Sequence, residues 1–218
     1  MLKIYGSDLS SPSNKVRFVA NALGLQYDYI KVNLREGEHQ KPEFLKVNPV
    51  GKIPAIDDDG FCLFESNAII RYLADKNNSP LYPKGLKERA VVDEWMDLSS
   101  MHVGMALSKV TYNRLFAPMR GQPVDENSIK EGINFLSRFL PVVDNQLAKS
   151  KYLTGSAMTL ADIVLLATLD SAEASEIDLS NYKNIVRWRN ALKQETFYTK
   201  CHANYEDALK ALTAAMKK

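Results

Sequence analysis

Four hydroxyls crowd one short stretch near the start of the chain. Ser7, Ser10, Ser11 and Ser13 all fall within GSDLSSPSNKVRF, residues 6–18. A serine cluster between a strand and a helix has a plain use, because the first N–H groups of a helix lack partners inside it and a hydroxyl can accept from them. The spacing of SSPS, residues 10–13, permits a second use. Redox proteins with the same order of elements carry C-x-P-C in this turn. Here oxygen stands at both sulfur positions, so no disulfide can form and thiol–disulfide exchange through the turn is excluded. A hydroxyl can still donate a hydrogen bond to the sulfur of another molecule. Such a donor favours the thiolate and lowers the thiol pKa. One charge-assisted bond of about 1.5–3 kcal/mol, at about 1.4 kcal/mol per pKa unit, carries a thiol from about 8.5 to near neutrality. Capping falls to at least one of Ser11 and Ser13, with Ser13 the expected cap.

Two further stretches could bind rather than react. In KIPAI, residues 52–56, a proline interrupts a strand-like run. Proline removes a ladder donor, so Pro54 marks either a plain edge strand or a cis bond. If Ile53–Pro54 is cis at a sheet edge, the Ile53 N–H and C=O are free to pair with an extended peptide. In FESNAIIRYLAD, residues 64–75, Glu65 and Ser66 open a helix directly after a strand. Either Ser66 caps that helix, or the free N–H groups and positive dipole end receive a ligand carboxylate.

The elements that must position these residues follow from hydrophobic periodicity. LKIYG reads as a buried strand. NKVRFVANALGL reads as a helix with Val16, Val19, Ala20 and Leu23 inward and Gly24 as its stop. QYDYIKVN is a second strand, KPEFLKVNP a short helix, KIPAI and FCLF a hairpin around DDDG, and SNAIIRYLADK a closing helix. The order βαβ–α–ββα predicts a small mixed sheet with helices packed on it. KNNSPLYPKG, residues 76–85, is a linker by composition. Beyond it only helices are expected. They comprise a long one through AVVDEWMDLSSMHVGMALSKVTYNRLF, one carrying Ile129, Ile133, Leu136, Leu140, Val143 and Leu147 that Pro141 should kink or shift, a central one in TLADIVLLATL, and two more in NIVRWRNALK and YEDALKALTAAMKK. The expected division is an α/β domain at 1–78, a linker at 79–86 and an all-helical domain at 87–218.

Composition narrows the classes. The chain has 218 residues, 45% hydrophobic and 25% charged, with a formal charge of +2. That is globular composition without a basic surface for nucleic acid. No apolar run approaches the roughly 18 residues of a membrane span, and the amino terminus runs straight into a strand, so a secretory signal is not expected. Cys62 and Cys201 form no CxxC pair, which suits free thiols in the cytoplasm. Cys62, flanked by apolar residues in a strand, is expected to be buried and inert. His39, His102 and His202 lack metal-ligand spacing, so no metal site is expected.

Strand–SSPS–helix, strand–Ile-Pro and Glu-Ser–helix, followed by a helical domain, together resemble the soluble glutathione transferases over essentially the whole chain. The serine-type group, with its phi, delta and theta-like classes, is the nearest. GEHQKPEFLKVNPVGKIPAIDDDGFCLFESNAIIRYLADK, residues 37–76, is similar to them almost continuously, and YLTGSAMTLADIVLL, residues 152–166, resembles the family's buried capping box, with Thr159 as cap and Asp162 returning the bond. The resemblance implies a thioredoxin-like domain that binds glutathione, an all-helical domain that supplies the electrophile pocket, and a homodimer. Ser10, or its neighbour Ser11, would hydrogen-bond the glutathione sulfur. Ile53, before Pro54, would pair with the cysteinyl backbone. Glu65 would meet the γ-glutamyl ammonium and Ser66 its carboxylate, while His39 and Lys52 would take the glycyl carboxylate or simply be solvated. Met101, His102, Met105 and Tyr112 would line the pocket for an apolar electrophile, or serve as ordinary core or dimer residues. Two positions depart from the family pattern: Asn14 and Asn67 stand where basic residues are frequent. Glutathione is thus the expected co-substrate of a transferase. The alternatives on the same scaffold are a glutathione-dependent peroxidase, dehalogenase or isomerase, or a carrier without turnover. A cysteine-based thiol transferase is disfavoured because neither cysteine occupies the first turn.

Overall fold

The computed structural model describes residues 1–202. Its amino-terminal part is a four-stranded sheet in the order β2-β1-β3-β4, built from β1 (Leu2–Gly6), β2 (Tyr27–Lys31), β3 (Ala55–Asp58) and β4 (Phe61–Phe64). β1 and β2 are parallel and joined through α1 (Ser11–Ala22), while β1–β3 and β3–β4 are antiparallel. The β3–β4 hairpin turns at Asp59 and Gly60, both with positive φ, as DDDG predicts. Helices α1 and α3 (Ser66–Lys76) pack on the main core with Ile4, Val16, Phe18, Val19, Ile56, Ile69 and Leu73. A smaller cluster of Val32, Phe44 and Ala55 seats a 3₁₀ turn (Glu38–Gln40) and the short α2 (Pro42–Leu45).

After an irregular segment the chain becomes helical. α4 (Leu86–Asp97), α5 (Gly104–Thr111) and α6 (Ala117–Met119) form one nearly continuous rod, interrupted by π-helical turns at Leu98–Val103 and Tyr112–Phe116. α7 (Glu126–Lys149) crosses α5 so closely that a Cβ on Gly132 would lie 2.7 Å from the Ala106 carbonyl oxygen. Pro141 does not shift the frame of α7. Leu136, Leu140, Val143 and Leu147 stay buried through it, while Ile133, expected inward, is largely exposed. α8 (Leu160–Ala174) is apolar and central as expected, with α9 (Lys183–Leu192) and α10 (Thr196–His202) beside it. The helix expected over YEDALKALTAAMKK lies outside the described residues.

α1 departs most from the amphipathic picture. Every residue from Ser13 to Ala20 is buried, because the helix touches β1 and is packed by α3, α8 and α10. A helix enclosed on all sides must find partners for its polar groups. Asn14 Nδ2 donates to the Asp8 carbonyl at 2.9 Å, Arg17 pairs with Asp8 at 3.1 Å, and Lys15 Nζ donates to Ser100 Oγ at 3.3 Å.

Candidate active site

The first turn is built around a hydrogen-bonded pair of serines. Ser10, not Ser13, is the N-cap of α1: its backbone is extended and its Oγ accepts from the Ser13 N–H at 3.3 Å. Ser13 is fully buried inside the helix, its hydroxyl donates to Ser10 Oγ at 3.0 Å, and its Oγ accepts from the Ser7 N–H at 3.4 Å. The expectation of Ser13 as cap is therefore reversed, because the helix begins at Ser11, three residues earlier than the apolar periodicity marks. Ser10 Oγ accepts twice, so its own proton is uncommitted among the described residues. Gly6 makes this possible, since a Cβ there would come within 2.8 Å of Ser13 Cβ and Oγ. Ser11 is the first helical residue, and its side chain enters no hydrogen bond among the described residues.

The Ile53–Pro54 bond is cis. It does not lie at a sheet edge, however. Pro54 immediately precedes β3, an interior strand, and the edges are β2 and β4. The Ile53 N–H and C=O pair with no group among the described residues, because the chain has left the ladder there. Sheet register explains how the candidates meet. Tyr5 pairs with Ala55 and Ala55 with Phe64. One step further along, Pro54 stands beside Gly6 on one side and Glu65 on the other. The serine turn, the Ile-Pro bond and the Glu-Ser junction thus share one end of the sheet.

Glu65 occupies a left-handed backbone conformation with φ 69°, unusual for a non-glycine residue. Ser66 does not cap α3 as considered above. It is the first helical residue, and no side chain caps this helix. The opening N–H groups of α3 remain available, in contrast to α7, where Asp125 accepts from Asn127 and Ser128. On the other flank, Gln40 Nε2 donates to the Gly51 carbonyl at 3.2 Å, drawing the His39 turn against the loop that carries Lys52. His39 Nδ1 is buried and unpartnered, while Lys52 is exposed.

Sequence reasoning missed Lys15. It is almost fully enclosed, and burial pushes its ammonium down to about 8 against the pull of the Glu65 charge. Ser100, its acceptor, also accepts from Asn67 Nδ2 at 3.0 Å. The available signal was a lysine four residues before Val19, on the helix's inward stripe. Met101, His102, Met105 and Tyr112 lie on the long rod and are all exposed, so they are not core residues. His102 rests on Phe139 with ring centroids 4.9 Å apart, and the Tyr112 hydroxyl donates to Gln122. Two surface cavities, of about 480 Å³ between Leu147–Tyr152 and Arg187–Glu195 and about 420 Å³ around Pro80–Val92 and Thr154–Thr159, contain none of the candidate residues. No cluster of three metal-ligating side chains occurs among the described residues.

Residues 2–75 match the family model described as glutathione S-transferase, N-terminal domain, and residues 108–195 match that of the C-terminal domain. The chain belongs to the glutathione S-transferase family. It is a glutathione transferase of phi/delta type, with glutathione as co-substrate. A delta-class glutathione transferase of Nilaparvata lugens is 32% identical, with 100% of this chain and 99% of that one aligned at TM-score 0.84. Glutathione transferase F7 of Populus trichocarpa is 28% identical, covering 93% and 98%, at TM-score 0.86. A glutathione S-transferase-I bound with lactoylglutathione is 30% identical, covering 93% and 98%, at TM-score 0.85.

The cysteines of the transferase are placed differently from each other and, for one, differently from expectation. Cys62 is exposed, not buried, because β4 is an edge strand with no element covering its outer side among the described residues. Cys201 is buried, receives a hydrogen bond from Asn21 Nδ2 at 3.1 Å, and is pushed up to about 11 by desolvation. No helix among the described residues is long and apolar enough to cross a membrane.

Proposed function

We propose that Ser10 donates the hydrogen bond that holds bound glutathione as its thiolate. The carrying observation is the pair of hydrogen bonds from Ser13 into Ser10 Oγ, which leave the Ser10 proton as the group's remaining valence. Two donors into one oxygen also polarise its O–H bond and strengthen it as a donor. The thiolate attacks an electrophilic carbon, a sulfur–carbon bond forms, and the leaving group departs with its bonding electrons. Ile53 pairs its free N–H and C=O with the cysteinyl backbone, beside the cis Pro54. Ser66 and the uncapped start of α3 take the γ-glutamyl carboxylate, and Glu65 meets the adjacent ammonium. His39 and Lys52 receive the glycyl carboxylate, a role supported by the unpartnered His39 Nδ1.

Met101, His102, Met105 and Tyr112 present an exposed, mostly apolar strip on the second domain for the electrophile. The family's homodimeric assembly and a cytoplasmic site of action complete the reading. Ser10→Ala should lower kcat/KM toward a reactive aryl halide about 10- to 100-fold, matching about 1.5–3 kcal/mol for a charge-assisted bond. Glutathione affinity should stay within about threefold, because the peptide contacts remain. Ser10→Ala turnover at the parent level would remove Ser10 from this role. Running hydroperoxides beside the aryl halide separates conjugation from peroxide reduction.

A further inference from the structure

Lys15 is the most completely enclosed lysine among the described residues, and the transferase mechanism above gives it nothing to do. An ammonium removed from water needs compensating partners or it is costly to keep. Among the described residues its hydrogen-bond partner is Ser100 Oγ at 3.3 Å, on the π-helical turn of the second domain. Asn67 reaches the same oxygen at 3.0 Å from the first turn of α3, and Asn67 Oδ1 is itself buried and unpartnered. Three elements, α1, α3 and the Leu98–Val103 turn, therefore meet at one hydroxyl, and the α3 contributor, Asn67, directly follows Glu65 and Ser66 in sequence.

We propose that Lys15 is a positioning residue of the glutathione site: its cation, tied to Ser100 across the domain junction, holds the Glu65–Asn67 turn in the form that receives the γ-glutamyl group. The proposal rests on the assignment of Glu65 and Ser66 to that group. Two features make the turn dependent on outside support. Glu65 sits in a left-handed conformation that is unfavourable for a non-glycine residue, and α3 has no side-chain cap of its own. A buried positive charge beneath the turn offsets the Glu65 carboxylate and adds to the positive end of the α3 dipole.

The charged groups on the surrounding elements are engaged elsewhere. On α1, Arg17 pairs with Asp8. On α3, Arg71 pairs with Asp93 and lies 3.9 Å from Asp97. On the π-helical turn, His102 rests against Phe139. On α8, Asp170 is bonded to Arg189 and Tyr198, and on α10, His202 stacks on Tyr198. Among the described residues, Glu65 is the acidic group whose charge opposes the effect of burial on Lys15. The sign of the pH dependence follows. Burial places the Lys15 titration near 8, so its support is fully present below that pH and fades as pH rises through it.

The test is calorimetric binding of S-methylglutathione, which has no ionisable thiol, to the full-length protein. Lys15→Met should bind about tenfold more weakly than the parent at about pH 6.5, and the ratio should shrink to under about twofold at about pH 9.5. Comparing variant with parent at each pH cancels titration of the ligand's own amine. Lys15→Arg, which keeps the charge, should stay within about threefold at both pH values. A ratio that does not change with pH, or a loss under about twofold at the lower pH, overturns the proposal while leaving the glutathione site intact. Failure of the parent itself to bind S-methylglutathione overturns the site assignment and this inference with it. Should Lys15→Met lose its circular dichroism signature, Ser100→Ala decides: about three- to fivefold weaker binding at the lower pH supports the proposal, and unchanged binding overturns it.

Discussion

Two helices of this transferase start at a hydroxyl, and the two hydroxyls are used in opposite ways. At the start of α8 every polar group is closed on another. Asp162 Oδ2 accepts from the Thr159 N–H at 2.9 Å and the Thr159 hydroxyl at 3.3 Å, while Oδ1 accepts from the Leu153 N–H at 3.0 Å and Trp188 Nε1 at 3.1 Å. Both Thr159 and Asp162 are buried. At the start of α1, Ser10 accepts two bonds from Ser13, is only half-buried, and keeps its own proton uncommitted. A closed cap stores stability. An open cap gives up part of it and leaves a donor at the surface of a rigid scaffold, where a substrate can complete the set.

The largest effect expected from breaking this contrast is on the closed side. Asp162→Ala strips the acceptor from four buried donors, each costing about 1–3 kcal/mol when left unpaired. Burial pushes the Asp162 carboxyl up, and the hydrogen bonds from Leu153, Thr159 and Trp188 oppose that. Equilibrium urea unfolding should show a loss of about 3–5 kcal/mol. A loss below about 1 kcal/mol would mean that the donors find other partners and the cap is not closed. By comparison, Ser10→Ala should cost only the roughly 1 kcal/mol of an ordinary N-cap in stability, with its main effect on turnover.

On the open side, Ser13→Ala sharpens the comparison. It removes the donor that points at Ser10 and the acceptor of the Ser7 N–H. With one neutral hydrogen bond worth about 1 kcal/mol, kcat/KM should fall about fivefold. Glutathione affinity should be unchanged. If Ser13→Ala matches Ser10→Ala in turnover, Ser13 is the group that meets the sulfur and Ser10 supports it.

The difference between the two caps also marks how far the sequence could be read. The Thr159–Asp162 box was legible because both partners lie three residues apart in one motif. The succession of strands and helices along the chain was legible for a similar reason, being read from local periodicity, while Pro54 left a plain edge strand and a cis bond both open. The assignment of the cap to Ser13 failed because the apolar stripe of α1 starts later than its hydrogen bonds. The edge placement of Pro54 failed because strand order is a long-range outcome, in which β3 comes to lie between β1 and β4. Burial of Cys62 was misjudged on the same ground, since β4 turns out to be the edge. Lys15 was invisible because its partner is 85 residues away. A lysine on a helix reads as a solvated face until a second domain covers it.

Ser11→Ala should have the smallest effect and therefore tests the choice between neighbours most cleanly. Ser11 occupies the first helical position, where its hydroxyl neither caps α1 nor touches Ser13, so its removal leaves both hydrogen bonds into Ser10 in place. Stability should move by less than about 0.5 kcal/mol, as for a substitution away from any cap or core contact. Turnover of the aryl halide should change by less than about twofold. A fall comparable to that of Ser10→Ala would reverse the assignment. The substrate sulfur would then sit over the first helical residue rather than over the cap, and the uncommitted proton on Ser10 would have no catalytic consequence.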